Sequence, residues 1–151
     1  MPQSLAKVIV HIVYSTKHRT PWLKDANLRA ELYAYNATIL KNVDSPAIVI
    51  GGVEDHIHVL ALLSRKVAIM DLIQESKTET SKWVKKQGLG LQDFAWQSGY
   101  GIFSVSESNC GQVKGYIEGQ AEHHLRMSFQ NEFKLLCQRH GIEIDERYVW
   151  D

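Results

Sequence analysis

Apolar positions recur along this chain with two periods, and the switches between them mark its elements. Ala6 to Thr16 alternates and is rich in Val and Ile, which predicts a strand. Lys17 to Lys24 is polar, contains Pro21 and reads as a loop. From Asp25 to Lys41, Leu28, Leu32, Tyr35 and Ile39 fall at helical spacing, with Asp25 placed as the N-cap. Asp44-Ser45-Pro46 interrupts, and Ala47 to Val53 is a short apolar strand. Glu54-Asp55 makes a tight turn into a strand from His56 to Leu63, which is apolar on both sides and therefore central. Val67 to Lys86 sets Ile69, Leu72, Ile73, Ser76, Thr80, Trp83 and Val84 on one helical face, and Gly88 and Gly90 end it. Phe94 to Val105 predicts a fourth strand, bulged at Gly99 and Gly101. Glu107 to Met127 predicts a helix weakened by glycines, and Phe129 to His140 another, before a polar tail.

This order predicts an α+β fold. The pattern that fits is a ferredoxin-like, split β-α-β antiparallel sheet with helices on one face and a C-terminal helix added. One sheet face is then left for a ligand, a partner chain or that later helix. No repeat, linker or low-complexity stretch divides the chain, so residues 1–151 read as a single domain.

Composition narrows the function. The 17 Lys and Arg match 17 Asp and Glu, so nucleic acid cannot be held by bulk charge and would need a local patch. An apolar fraction of 44% excludes disorder, and two cysteines exclude a disulfide scaffold. No apolar run reaches the ~18 residues of a membrane span, and the N-terminus lacks a secretory signal. A soluble, reduced, cytoplasmic protein is expected.

His56 and His58 stand two residues apart on a predicted strand, so both rings project from one face. Their Cα atoms are then roughly 6.6 Å apart, close enough to converge on one metal ion. The pair alone reads equally well as hydrogen-bonded histidines. Tyr116 and Gln120 share a helical face, where a phenol can act as a nucleophile and an amide oxygen as a ligand for a hard cation. Gly111, Gly115 and Gly119 run beside them, and each interior glycine costs a helix about 1 kcal/mol. Such a stripe fits close approach of another backbone or a segment that shifts. His123 and His124 follow; they can supply a further ligand or contact an anionic substrate, but their ordinary reading is as surface residues.

Five segments in order carry a resemblance: Glu54-Asp55-His56-Ile57-His58-Val59, Thr80-Ser81-Lys82-Trp83, Phe94 to Gly101 (FAWQSGYG), Phe103-Ser104-Val105-Ser106 and Tyr116-Ile117-Glu118-Gly119-Gln120. Together they resemble the single-tyrosine HUH transposases of the smallest bacterial insertion sequences (TnpA type), over nearly the whole chain. The resemblance implies a metal-dependent endonuclease and strand transferase acting on single-stranded DNA hairpins at element ends. It implies that His56, His58 and Gln120 hold a divalent metal, Mg2+ or Mn2+. It also implies that Tyr116 forms a 5′-phosphotyrosine and leaves a free 3′-hydroxyl that can later reseal the strand. A homodimer is implied, with active sites that can be shared between subunits, as is association with the nucleoid when DNA is bound.

Candidate DNA contacts are the basic residues Lys17, Arg19, Arg65, Lys66, Lys77, Lys82, Lys85 and Lys86, with His18 beside them. Trp83 and Trp96 read as core. Three alternatives stand beside the transposase: a catalytically silent or domesticated relative that only binds hairpins, an HUH nicking enzyme, and a small metal-binding or RNA-binding α+β domain, which the split unit alone would allow. The short tail, without a basic extension, favours an insertion-sequence transposase over domesticated relatives.

Overall fold

In the computed structural model, which describes residues 3–151, strands β1 (Ile9–Ser15), β2 (Ala47–Gly52), β3 (His56–Leu62) and β4 (Gly101–Val105) form one antiparallel sheet in the order β2-β3-β1-β4. Helices α1 (Ala26–Asn42) and α2 (Ile69–Lys85) connect them in the ferredoxin-like manner. The Asp25 carboxylate caps α1, accepting from the Asn27 and Leu28 amides. Helix α2 buries Leu72, Ile73, Ser76, Thr80 and Val84, the face its spacing predicts. Against that face and α1 lie Val10, Ile12, Tyr14, Ile57, Val59 and Ala61, the inward alternation of β1 and β3. Burying each large apolar side chain there is worth about 1.5–3 kcal/mol. Trp96 is in this core, and Trp83 packs at its margin against Tyr35.

The opposite alternation carries His11, Val13, His56, His58 and Leu60, and the later helices cover it. These are α3 (Cys110–Glu118), α4 (Gln120–His123) and α5 (Phe129–Arg139). Helix α3 presses Ile117 onto Ile9 and Leu60. It can do so because β2 carries Gly51, where a Cβ would lie 2.5 Å from the Ile117 carbonyl oxygen. Helix α5, capped by Ser128, buries Phe129, Phe133, Leu136 and Cys137 against Val13 and Phe103.

Two expectations need correction. The fourth strand is only Gly101–Val105; from Phe94 to Tyr100 a single bridge, Thr16 to Trp96, is strand-like. The reason is the Lys77 ammonium, which draws the carbonyls of Gln97, Ser98 and Gly99 to itself at 2.7, 3.2 and 2.6 Å. Carbonyls bound to an ammonium are not extending a ladder. The long glycine-weakened helix is likewise divided, by a 3-10 turn at Glu107–Asn109 and a break at Gly119. Among the described residues no backbone packs against Gly111 or Gly115, where a Cβ would meet open space. Close approach within the chain therefore does not explain that stripe.

Candidate metal centre and nucleophile

Five buried polar side chains occupy the second sheet face: His11, His56, His58, Gln120 and Glu132. Leaving them unpaired would cost several kcal/mol in total, at about 1–3 kcal/mol per unsatisfied group. They are paired, and in a particular sense. His56 Nδ1 lies 2.7 Å from Asp55 Oδ1, His58 Nδ1 lies 2.7 Å from Nε2 of His11, and His124 Nδ1 lies 2.6 Å from the Met127 carbonyl oxygen. A tautomer with Nδ1–H donating outward would leave the three Nε2 atoms free for a cation at one point, whereas in the metal-free protein the hydrogen bonds to Glu132 run from Nε2–H to the carboxylate. Fixing the tautomer through the second ring nitrogen is the usual support of a metal-ligating histidine.

Glu132 Oε1 marks that point. It is 3.0 Å from His58 Nε2, 3.0 Å from His124 Nε2 and 3.3 Å from His56 Nε2. Ligand atoms of His56, His58, His124 and Glu132 all lie within 4.8 Å of one another. Gln120 adds its Oε1 at 3.0 Å from His56 Nε2. Ligand bonds of about 2.0–2.2 Å to a divalent ion place neighbouring donors at such separations, so these residues fit a cation.

The second carboxylate oxygen, Glu132 Oε2, accepts the hydroxyl of Tyr116 and, at 2.9 Å, the side-chain amide of Gln120. The Tyr116 hydroxyl is also 3.4 Å from His123 Nε2, and its ring stands edge-on to His58. One carboxylate thus joins the cluster to the phenol.

The electrostatics follow this arrangement in the metal-free protein. Burial pushes His58 down to about 4 and His11 to about 3. Burial acts the same way on His56, but the Asp55 and Glu132 carboxylates outweigh it and hold the ring at about 9. Burial opposes ionisation of Glu132, yet its histidine partners keep it well below the usual carboxylate range. Burial, and then the adjacent Glu132 carboxylate, raise the Tyr116 phenol above its ordinary value.

Among the residues singled out in the sequence, His56, His58, Tyr116 and Gln120 meet here within one chain. His124, expected at the surface, turns inward with its side chain 9% exposed. Glu132 and His11 are not among the sequence candidates, though each leaves a trace. Glu132 falls on the apolar face of Phe129, Phe133 and Leu136, and His11 interrupts the inward alternation of Ile9 and Val13.

The basic candidates lie elsewhere. Arg65 and Lys66 sit in the turn before α2, and Lys82, Lys85 and Lys86 lie at its far end, in the helix layer across the sheet from the histidines. Lys82 is 3.6 Å from Glu79. Lys77 is engaged by the carbonyls described above. Lys17 and Arg19 follow β1, with Lys17 exposed and the Arg19 guanidinium over the Trp150 ring.

Residues 4–120 match the family described as "Transposase IS200 like". In the solved structures, the chain is similar to a protein assigned as a transposase from Deinococcus radiodurans, with a TM-score of 0.59 at 20% identity over 80% of this chain and 95% of that one. It is also similar to a REP-associated tyrosine transposase bound to a REP hairpin, with a TM-score of 0.60 at 12% identity over 82% of this chain and 73% of that one. No curated protein matches the chain. Among the described residues no helix is long and apolar enough to cross a membrane.

Proposed function

Because the chain belongs to the IS200-like transposase family, we propose that it cleaves and rejoins single-stranded DNA at hairpin-marked element ends, with Tyr116 as the nucleophile. The observation that carries this reading is the hydrogen bond from Tyr116 to a carboxylate whose other oxygen faces three imidazoles.

Tyr116 Oη bonds to phosphorus as the P–O3′ bond breaks, giving a 5′-phosphotyrosine. Glu132 Oε2 is placed to take the phenolic proton, and the departing 3′ oxygen takes one from solvent. Resealing reverses these steps, with the 3′-hydroxyl as nucleophile and the phenol as leaving group. The bond energy is conserved in the phosphotyrosine, so no nucleotide triphosphate is consumed.

His56, His58, His124, Glu132 and Gln120 would hold the divalent ion. When bound, the ion would supply Lewis-acid polarisation of the scissile phosphate and would offset the charge that builds during displacement. Three imidazoles make the donor set richer in nitrogen than Mg2+ favours, so Mn2+ is the better match of the two.

Tyr116 and its carboxylate and histidine partners belong to one chain, which supports action on that chain's own site. A homodimer is compatible with this, without exchange of the tyrosine. The hairpin bound by the REP-associated relative supports a hairpin substrate here. Lys17, Arg19, Arg65, Lys66, Lys82, Lys85 and Lys86 remain the proposed backbone contacts. Lys77 is the weakest of the original set, because its ammonium is already satisfied.

The test is incubation with a pool of labelled single-stranded hairpins bearing randomised flanks, with Mn2+, followed by denaturing electrophoresis. A DNA–protein adduct lost in Tyr116→Phe is expected. Hairpin binding without an adduct would identify a silent relative, and an adduct without rejoining would identify a nicking enzyme.

A further inference from the structure

Beside Tyr116 a cleft of about 510 Å³ opens between β4, α3 and the end of α5. That volume lies in the range of roughly 300–1,000 Å³ found for small-ligand sites. His11, Phe103, Gln112, Tyr116, Arg139 and His140 contribute to its wall, whereas His56, His124 and Glu132 do not. Arg139 is exposed and makes no ion pair among the described residues, and its positive charge is felt by the Tyr116 phenol. The His140 ring packs on Phe103 at 4.7 Å, and its Nδ1 is held by the Leu136 carbonyl at 2.8 Å. His140 is itself exposed, so its ring is oriented in advance and still accessible.

We propose that this cleft binds the nucleotide that stays joined to Tyr116, with its base against His140 and a phosphate oxygen on the Arg139 guanidinium. The inference rests on the phosphotyrosine reading above. In an in-line displacement the leaving 3′ oxygen lies on the far side of phosphorus from the phenol. The retained 5′ oxygen is lateral to that line, and its nucleotide falls beside the tyrosine ring. The cleft is lined by that ring. Its chemistry suits a single nucleotide: a planar ring for stacking, a planar cation for phosphate and the Gln112 amide for a base edge.

The experiment starts by sequencing the cleaved ends formed by the wild-type protein from the randomised hairpin pool. If the wild type forms no adduct, the phosphotyrosine reading fails and this inference falls with it. If it does, a substrate lacking the base immediately 3′ of the cleaved phosphate is compared with the intact one. The wild type should form adduct about tenfold more slowly on the abasic substrate, the size of one lost stacking contact. Arg139→Ala and His140→Ala should each slow the intact substrate about tenfold, and His140→Ala should be indifferent to removal of the base. Fluorescence anisotropy in EDTA should give the same order of affinities, and unchanged melting temperatures would show that both variants fold. Wild-type rates and affinities in both variants, or a full abasic penalty retained in His140→Ala, would overturn the assignment while leaving the phosphotyrosine intact.

Discussion

Tyr116 gives its hydroxyl hydrogen bond to Glu132, sixteen residues later in the chain and on a separate helix. The same carboxylate presents its other oxygen to His56, His58 and His124. The proposed nucleophile and the candidate cation position are therefore coupled through one side chain. Glu132→Gln keeps the shape and removes the charge. Adduct formation should fall about 10²–10⁴-fold, the usual worth of a positioned acid–base group, and metal affinity should fall with it. Rapid-quench assays and calorimetric metal titration check the two effects separately. Loss of metal affinity with an unchanged adduct rate at saturating metal would remove Glu132 from the chemistry.

Asp55 touches His56 and none of the inward-facing donors. Asp55→Asn should weaken metal binding about 10–100-fold, as loss of an outer partner does, and excess Mn2+ should restore adduct formation. Failure of excess Mn2+ to restore it would mean that Asp55 does more than orient the ring.

Metal-free stability should peak near pH 6.5. His11 and His58 are pushed down to about 3 and about 4, so the unfolded chain binds more protons below their ordinary value. Stability is then lost as pH falls from about 6.5 toward 4, and depressed Glu132 adds to the loss at lower pH. His56 works in the opposite direction. Held at about 9, it contributes fully below about 6.5 and loses that contribution as pH rises toward 9. Thermal melts in EDTA from pH 4 to 9 should trace both limbs. A profile rising steadily to pH 9 would contradict the charged state of His56.

Gly115 meets open space within its own chain and has no positive φ to require glycine. Gly115→Ala should therefore stabilise the fold by up to about 1 kcal/mol. If the helix stays glycine-rich in order to shift during strand exchange, the same change should leave hairpin binding intact and slow rejoining. Unchanged rejoining would show that α3 keeps its place.

The framework was largely legible because its signals are local. The Asp25 cap, the alternating strands and the face of α2 need only neighbouring residues to be read. His56 and His58 share a strand, and Tyr116 and Gln120 lie one helical turn apart, so short spacing brought out both pairs. Glu132 and His11 depend on how α5 and β1 meet across the sheet, and the inward turn of His124 on how the end of α4 packs, none of which spacing encodes. The start of β4 differs from the sequence reading for a similar reason: Lys77, from α2, takes the carbonyls that a strand would use.

Peptide mass spectrometry of the trapped complex addresses the central claim most directly. A nucleotide attached through its 5′-phosphate to the peptide bearing Tyr116, formed with Mn2+ and absent in EDTA, is the predicted result. A nucleotide on any other residue, or equal labelling of Tyr116 without a divalent ion, would contradict it.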